Sequence, residues 1–289
     1  MKKFFITTWL IGGALDALVL SAPAIATDNN KEIPSSEMKM DHSAHKGSSN
    51  SSIKVEILPL GEIKKGQSSE VKIKLTSLKN DKAIQLSDLK EVHTEKIHIL
   101  IFDNTLTDYQ HIHPTPTQEA GIYQFVWTPK NEGDYRLWVD VVPVQTNNEE
   151  YIMAFLDKVG QSKETMVKTL QSTCKVDENE YSLTFDKPRL TQGKAVMGKI
   201  KIIDAQGQDV KKLEPLMGAF GHIVAINEDF ETIAHVHPMG REPLSSSERG
   251  GPELAFHFVP EKAGFYKIWL QIQISGKDIY VPFGVEVNS

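Results

Sequence analysis

Among 289 residues there is one cysteine, Cys174, which excludes an internal disulfide framework and any multi-cysteine zinc or iron–sulfur site. Clustered positive charge is also missing. The 32 Lys and Arg are scattered against 38 Asp and Glu, for a net charge of −6. Without a basic stripe to meet phosphates, nucleic acid is excluded as a partner. Beyond the amino-terminal apolar run, no stretch approaches the roughly 18 apolar residues of a membrane span. The chain is otherwise of ordinary globular composition, 40% hydrophobic and 24% charged, and long enough for two domains. What it does have is ten histidines, unevenly placed.

The amino terminus reads as an export signal. Lys2 and Lys3 precede the apolar run Phe4 to Leu20, and Ala24-Ile25-Ala26 has the small-x-small form of a signal-peptidase site. Asp16 within the run and Pro23 after it argue against a membrane anchor. Residues 1–26 are therefore expected to be a cleaved signal peptide, with the mature chain starting at Thr27 and located in the periplasm or secreted. Residues 27–52 hold seven serines, charges of both signs and almost no large aliphatic side chain. Such a segment cannot bury enough surface to offset its ordering entropy and is expected to be a disordered tail.

From Ile53 onward the pattern alternates. Val71-Lys-Ile-Lys-Leu75 has the apolar–polar period of a half-buried strand, and Ile97–Phe102, Tyr123–Thr128 and Tyr135–Val141 are further strand candidates. Many short strands with few helical patterns predict β-sandwiches. An internal repeat sets how many. His98, His111, His113 and Pro114 recur as His222, His235, His237 and Pro238, at an offset of 124 in every case. Downstream, Phe125-Val-Trp-Thr-Pro129 matches Phe256-His-Phe-Val-Pro260, and Gly133-Asp-Tyr-Arg-Leu-Trp138 matches Gly264-Phe-Tyr-Lys-Ile-Trp269, at an offset of 131. The second copy thus carries seven extra residues, assigned to the loop around Arg241 to Gly251. The expected fold is all-β: two tandem immunoglobulin-like sandwiches, residues 53–160 and 179–289, joined by a linker over 161–178.

Strand geometry decides whether the histidines can meet. In His111-x-His113 both side chains share a face, because strand side chains alternate. If His98 to His113 is a hairpin, pairing His98 with His111 leaves a two-residue turn and pairing it with His113 a four-residue turn. Both registers put three imidazoles on one face, whereas a slip of one residue scatters them. Three neutral imidazoles suit zinc or copper(II) with a position left open. His98, His111 and His113 are candidate ligands for one ion, and His222, His235 and His237 for another. In the tail, Met38, Met40, His42 and His45 place two thioethers and two imidazoles within eight residues. Thioethers select copper(I), which tips the expected metal from zinc toward copper. Trp127, Trp138 and Trp269 read as core, Cys174 as a packing residue or free thiol, and His93 and His257 as structural.

These residues carry a resemblance. Leu213-Glu-Pro-Leu-Met-Gly-Ala-Phe-Gly-His222 through Ala234-His-Val-His-Pro238, with Tyr109-Gln-His-Ile-His-Pro114 in the first copy, resembles the YtkA-like exported bacterial proteins, immunoglobulin-like sandwiches found near metal-efflux systems. The first copy has Val92-His-Thr-Glu-Lys-Ile97 where the second has the Met-Gly-Ala-Phe-Gly stretch. The resemblance covers roughly residues 55 to 289 and implies copper or heavy-metal handling. The function expected is a periplasmic copper chaperone or sequestering protein, with a metal-efflux or metal-delivery protein as partner. The alternatives are a metalloenzyme with an open three-histidine site, and an interaction module whose histidines are structural.

Overall fold

The computed structural model describes residues 51–289 together with the backbone of His45–Lys46. The expected signal peptide and most of the tail, including Met38, Met40 and His42, lie outside the described residues. Alternation builds the strands as the sequence indicates. In Ser69–Ser77, Val71, Ile73 and Leu75 are buried while Lys72 and Lys74 turn outward. A single 3-10 turn, Leu86–Asp88, is the only helical element among the described residues.

In the first repeat, one sheet orders Ile53–Ile57, Ser69–Ser77, Ile122–Trp127 and Thr115–Pro116. The facing sheet orders Tyr109–Ile112, His98–Asp103, Gly133–Val141 and Glu150–Val159. This division of consecutive strands between two antiparallel sheets is the immunoglobulin arrangement. The second repeat reproduces it. Thr173–Val176, Asn179–Phe185, Val196–Ile203 and Glu253–Phe258 form one sheet. Thr232–Val236, His222–Asn227, Gly264–Ile274 and Lys277–Asn288 form the centre of the other, with His45–Lys46 and Leu190–Thr191 added at its edges. The strand Thr173–Val176 starts inside the stretch read as linker, because Cys174 is buried and the segment closes a hairpin on Asn179–Phe185. The longer loop of the second copy is tied by an ion pair of 2.5 Å between Arg241 and Glu248.

Each sandwich has its own core. Ile99, Ile101, Leu137 and Val139 belong to the first, and Ile223, Ala225, Ile268 and Leu270 to the second. A third apolar cluster lies between them. It joins Leu100, Phe102, Tyr109 and Trp138 from the first repeat to Val224, Ile226, Ile233 and Trp269 from the second. The outer faces of the two histidine-bearing sheets are therefore packed against each other. Trp127 fills the core of the first sandwich, but Trp138 and Trp269 fill the interdomain layer instead. This two-sided burial explains why every residue of His98–Asp103 and of His222–Asn227 is buried.

Candidate metal centre between the two sandwiches

The hairpin register places the histidines. Leu100 pairs with His111 and Ile99 with Ile112, which brings His98 level with His113 and leaves a four-residue turn closed from Asp103 to Asp108. The second hairpin has the same register, with Val224 opposite His235 and Ile223 opposite Val236. In both, the inward neighbours of the histidines go to the sandwich core and the histidines face the other repeat. The expected cluster forms on one sheet face, but that face is covered. His98, His111, His222 and His235 are at most 8% exposed, and His113 and His237 are partly buried.

His98 Nδ1 lies 3.2 Å from His111 Nε2 and 3.1 Å from His113 Nε2. In the second repeat His222 Nδ1 lies 2.7 Å from His237 Nε2. Across the boundary, the rings of His111 and His235 have centroids 5.1 Å apart, and those of His98 and His235 5.4 Å. The six imidazoles make one contiguous cluster rather than two separate trios. Ligand nitrogens within 4.8 Å of one another form two overlapping groups, His98–His111–His113 and His111–His222–His235. The second group takes His111 from the first repeat.

The nitrogens turned away from the cluster are held by partners, and those partners set the tautomers. His98 Nε2 donates to the Val92 carbonyl at 3.1 Å, and His222 Nε2 to the equivalent Leu216 carbonyl at 2.9 Å. His111 Nδ1 donates to Gln271 Oε1 at 3.1 Å. The amide of Gln271 is oriented by its own donation to Asp278 and to the Tyr280 hydroxyl, at 3.2 and 3.0 Å. His235 Nδ1 lies 2.8 Å from Asp140 Oδ2. Asp140 and Gln271 occupy equivalent places, opposite His98 and His222 on the neighbouring strands, and each reaches a histidine of the other repeat. With its proton directed at Gln271, His111 presents a lone pair to His98 Nδ1, which also carries a lone pair. Two buried lone pairs 3.2 Å apart repel unless a cation lies between them. The Nε2 of His235 is buried and nothing among the described residues hydrogen-bonds it.

Burial sets the titration of the cluster. Desolvation first, then the neighbouring imidazoles, hold His98, His111, His222 and His237 well below the usual histidine range. Burial pulls His113 down to about 4 and His235 to about 3. Burial also pushes the Asp140 carboxyl above the carboxylate range. The imidazoles are thus neutral, the form in which nitrogen binds metal.

The structure also brings in residues that the sequence reading left out. His93, read as structural, stacks on His237 with ring centroids 3.3 Å apart. It occupies the place of Met217 in the second repeat, and both residues have positive φ, 52° and 50°. Asp140 and Gln271 are the other omissions. The signal available for them was a polar residue at matching positions in otherwise apolar strands. His257 lies on Glu253–Phe258, in the sheet away from the interdomain layer. Of the tail candidates, only His45 is described, as backbone pairing with Ile233 two residues from His235.

No curated protein matches the sequence. Among solved structures, the chain is 9% identical to invasin, a bacterial integrin-binding protein, covering 80% of this chain and 39% of that one with a TM-score of 0.23. It is 10% identical to the D00-D0 domain of intimin over 82% of this chain and 100% of that one, with a TM-score of 0.23. The Yersinia pseudotuberculosis adhesin InvE is 13% identical over 81% of this chain and 58% of that one, with a TM-score of 0.23. Likeness this low carries no argument about function. The repeat is stated independently by the family comparison, which matches residues 48–160 and again 174–289: the chain belongs to a family described as a domain of unknown function, DUF8832.

Proposed function

We propose that this is an exported metal-binding protein that chaperones or sequesters copper or another heavy metal through its histidine cluster. The observation that carries the reading is the approach of His98 Nδ1 to His111 Nε2 and His113 Nε2, at 3.2 and 3.1 Å. Ligand bonds of about 2.0–2.1 Å require nitrogens at roughly this separation around one ion. Copper is favoured over zinc by the thioethers of Met38 and Met40 beside His42 and His45 in the amino-terminal segment. The YtkA-like resemblance points the same way. Export, and delivery to or from a metal-efflux protein, belong to the same proposal.

A second reading has its own support. The bonds from His98 to Val92 and from His222 to Leu216, in a buried layer, are what hydrogen-bonded structural histidines in an interaction module would make. The experiment that separates the two is copper(II) and zinc(II) titration of the wild type and of a variant with His111, His113, His235 and His237 replaced by alanine. Loss of binding with the metal-free fold retained supports the metal reading. Unchanged binding, or a wild type that binds neither ion, overturns it and favours the interaction module.

A further inference from the structure

We propose that His111, His222 and His235 form an interdomain site for one divalent ion, zinc(II) or copper(II), which fastens the two sandwiches to each other. The inference rests on the metal-binding reading but makes a narrower claim: the preferred ligands come from both repeats, not from either trio alone. The ligand nitrogens of these three residues already lie within 4.8 Å of one another. All three side chains sit in the buried layer between the sheets.

Each of the three has its outer nitrogen committed, while the inner nitrogens of His222 and His111 meet only other imidazoles, His237 Nε2 at 2.7 Å and His98 Nδ1 at 3.2 Å. His222 is held by the Leu216 carbonyl, His111 by Gln271 and His235 by Asp140. Metal-bound histidines characteristically donate their second nitrogen to a carbonyl or carboxylate, which fixes the ring and raises its basicity. Two of these supports cross the boundary, since Gln271 reaches from the second repeat and Asp140 from the first. The buried His235 Nε2 lacks a partner among the described residues, and an ion at this site supplies one. Asp140, itself hydrogen-bonded to Glu149, holds the His235 ring in a fixed orientation from the first repeat.

The geometry also sets the stoichiometry. His111 belongs to both overlapping groups, and its Nε2 can bind only one ion at full strength. Filling the interdomain site leaves His98 and His113 one ligand short, so the protein holds one ion tightly. Drawing nitrogens from within 4.8 Å to the separation of about 3.3–3.5 Å around a tetrahedral ion tightens the two sheets against each other.

The test is a titration of the full mature chain with zinc(II), read on the histidine ring nitrogens by NMR. Below one equivalent, the rings of His111, His222 and His235 are expected to shift together. Shifts confined to His98, His111 and His113 overturn the interdomain site while leaving metal binding intact. No ring shift at all overturns the metal-binding reading itself. A second measurement uses variants. The pair His222→Ala and His235→Ala is expected to weaken zinc binding more than a hundredfold, against less than tenfold for His98→Ala with His113→Ala. The reverse order overturns the proposal, and the wild-type NMR result stands whether or not a variant folds.

Discussion

His235 Nδ1 lies 2.8 Å from Asp140 Oδ2, and the two residues belong to different sandwiches. Their counterparts, His111 and Gln271, make the same crossing in the opposite direction at 3.1 Å. One crossing ends on a carboxyl group and the other on an amide, so the two halves of the cluster differ in chemistry although the repeat makes them alike in shape. A carboxylate behind a ligand histidine strengthens it, and removing such a support costs about 10–100-fold in metal affinity. Asp140→Asn is therefore expected to weaken zinc(II) or copper(II) binding by about that factor while preserving the interdomain contact. Competition against a chelator of known affinity measures it. An unchanged affinity would show that Asp140 has no part in metal binding.

Acid should destabilise the metal-free protein. The cluster histidines titrate lower in the folded state than the value of about 6.5 expected of an unfolded chain. Between those values the unfolded state binds more protons, so stability falls as pH drops. The loss begins near pH 6.5 and continues toward about 4 for His113 and about 3 for His235. Urea midpoints measured from pH 7.5 to 4.5 should decrease steadily, and saturating zinc(II) should delay the decrease. A flat midpoint across that range would contradict neutral burial of the cluster.

The interdomain layer should behave as true core. Trp138 is fully buried between Leu100, Phe102 and the second repeat's Val224 and Trp269. Trp138→Ala is expected to cost about 3–5 kcal/mol of unfolding free energy and to loosen the histidine cluster. Val126→Ala, at a side chain 62% exposed, should stay within about 0.5 kcal/mol. Chemical denaturation of both variants checks the contrast. A small effect at Trp138 would mean the sandwiches do not depend on each other.

The methionine–histidine segment should be separable from the cluster by oxidation state. Thioethers favour copper(I) and imidazoles copper(II). Deletion of residues 27–44 is expected to weaken copper(I) binding and leave copper(II) stoichiometry unchanged. The deletion stops short of Ser51 and Ser52, because both bond to Glu150 on the first sandwich. Chelators specific for each oxidation state read the two affinities. Equal loss of both forms would argue that the segment acts through the fold.

Much of this organisation was legible in the chain. The recurrence of His98, His111 and His113 at one constant offset predicted two like domains, and His-x-His on a strand predicted a shared face. The four-residue turn was one of two registers left open, and the closure from Asp103 to Asp108 selects it. The doubly covered sheets also left a trace. His98-Ile-Leu-Ile-Phe102 and His222-Ile-Val-Ala-Ile226 are unbroken apolar runs behind their leading histidine, the mark of a strand buried on both sides. In sequence, Ile97–Phe102 is only a strand candidate and Trp138 and Trp269 read as core, and that trace is what assigns a cover to the histidine face.

By itself, the sequence determined the repeat, the all-β class and the side of each hairpin on which the imidazoles stand, because these follow from local alternation and from similarity between segments of one chain. The tertiary structure decided what covers that side. Period-two patterning says that Leu100, Phe102 and Trp138 share a face with His98 and Asp140, but it is silent about a surface more than a hundred residues away. Only the packing of that face onto Val224, Ile226 and Trp269 brings Asp140 to His235 and Gln271 to His111. Two copies of a hairpin thereby become one buried cluster, through complementarity of shape that no single strand encodes.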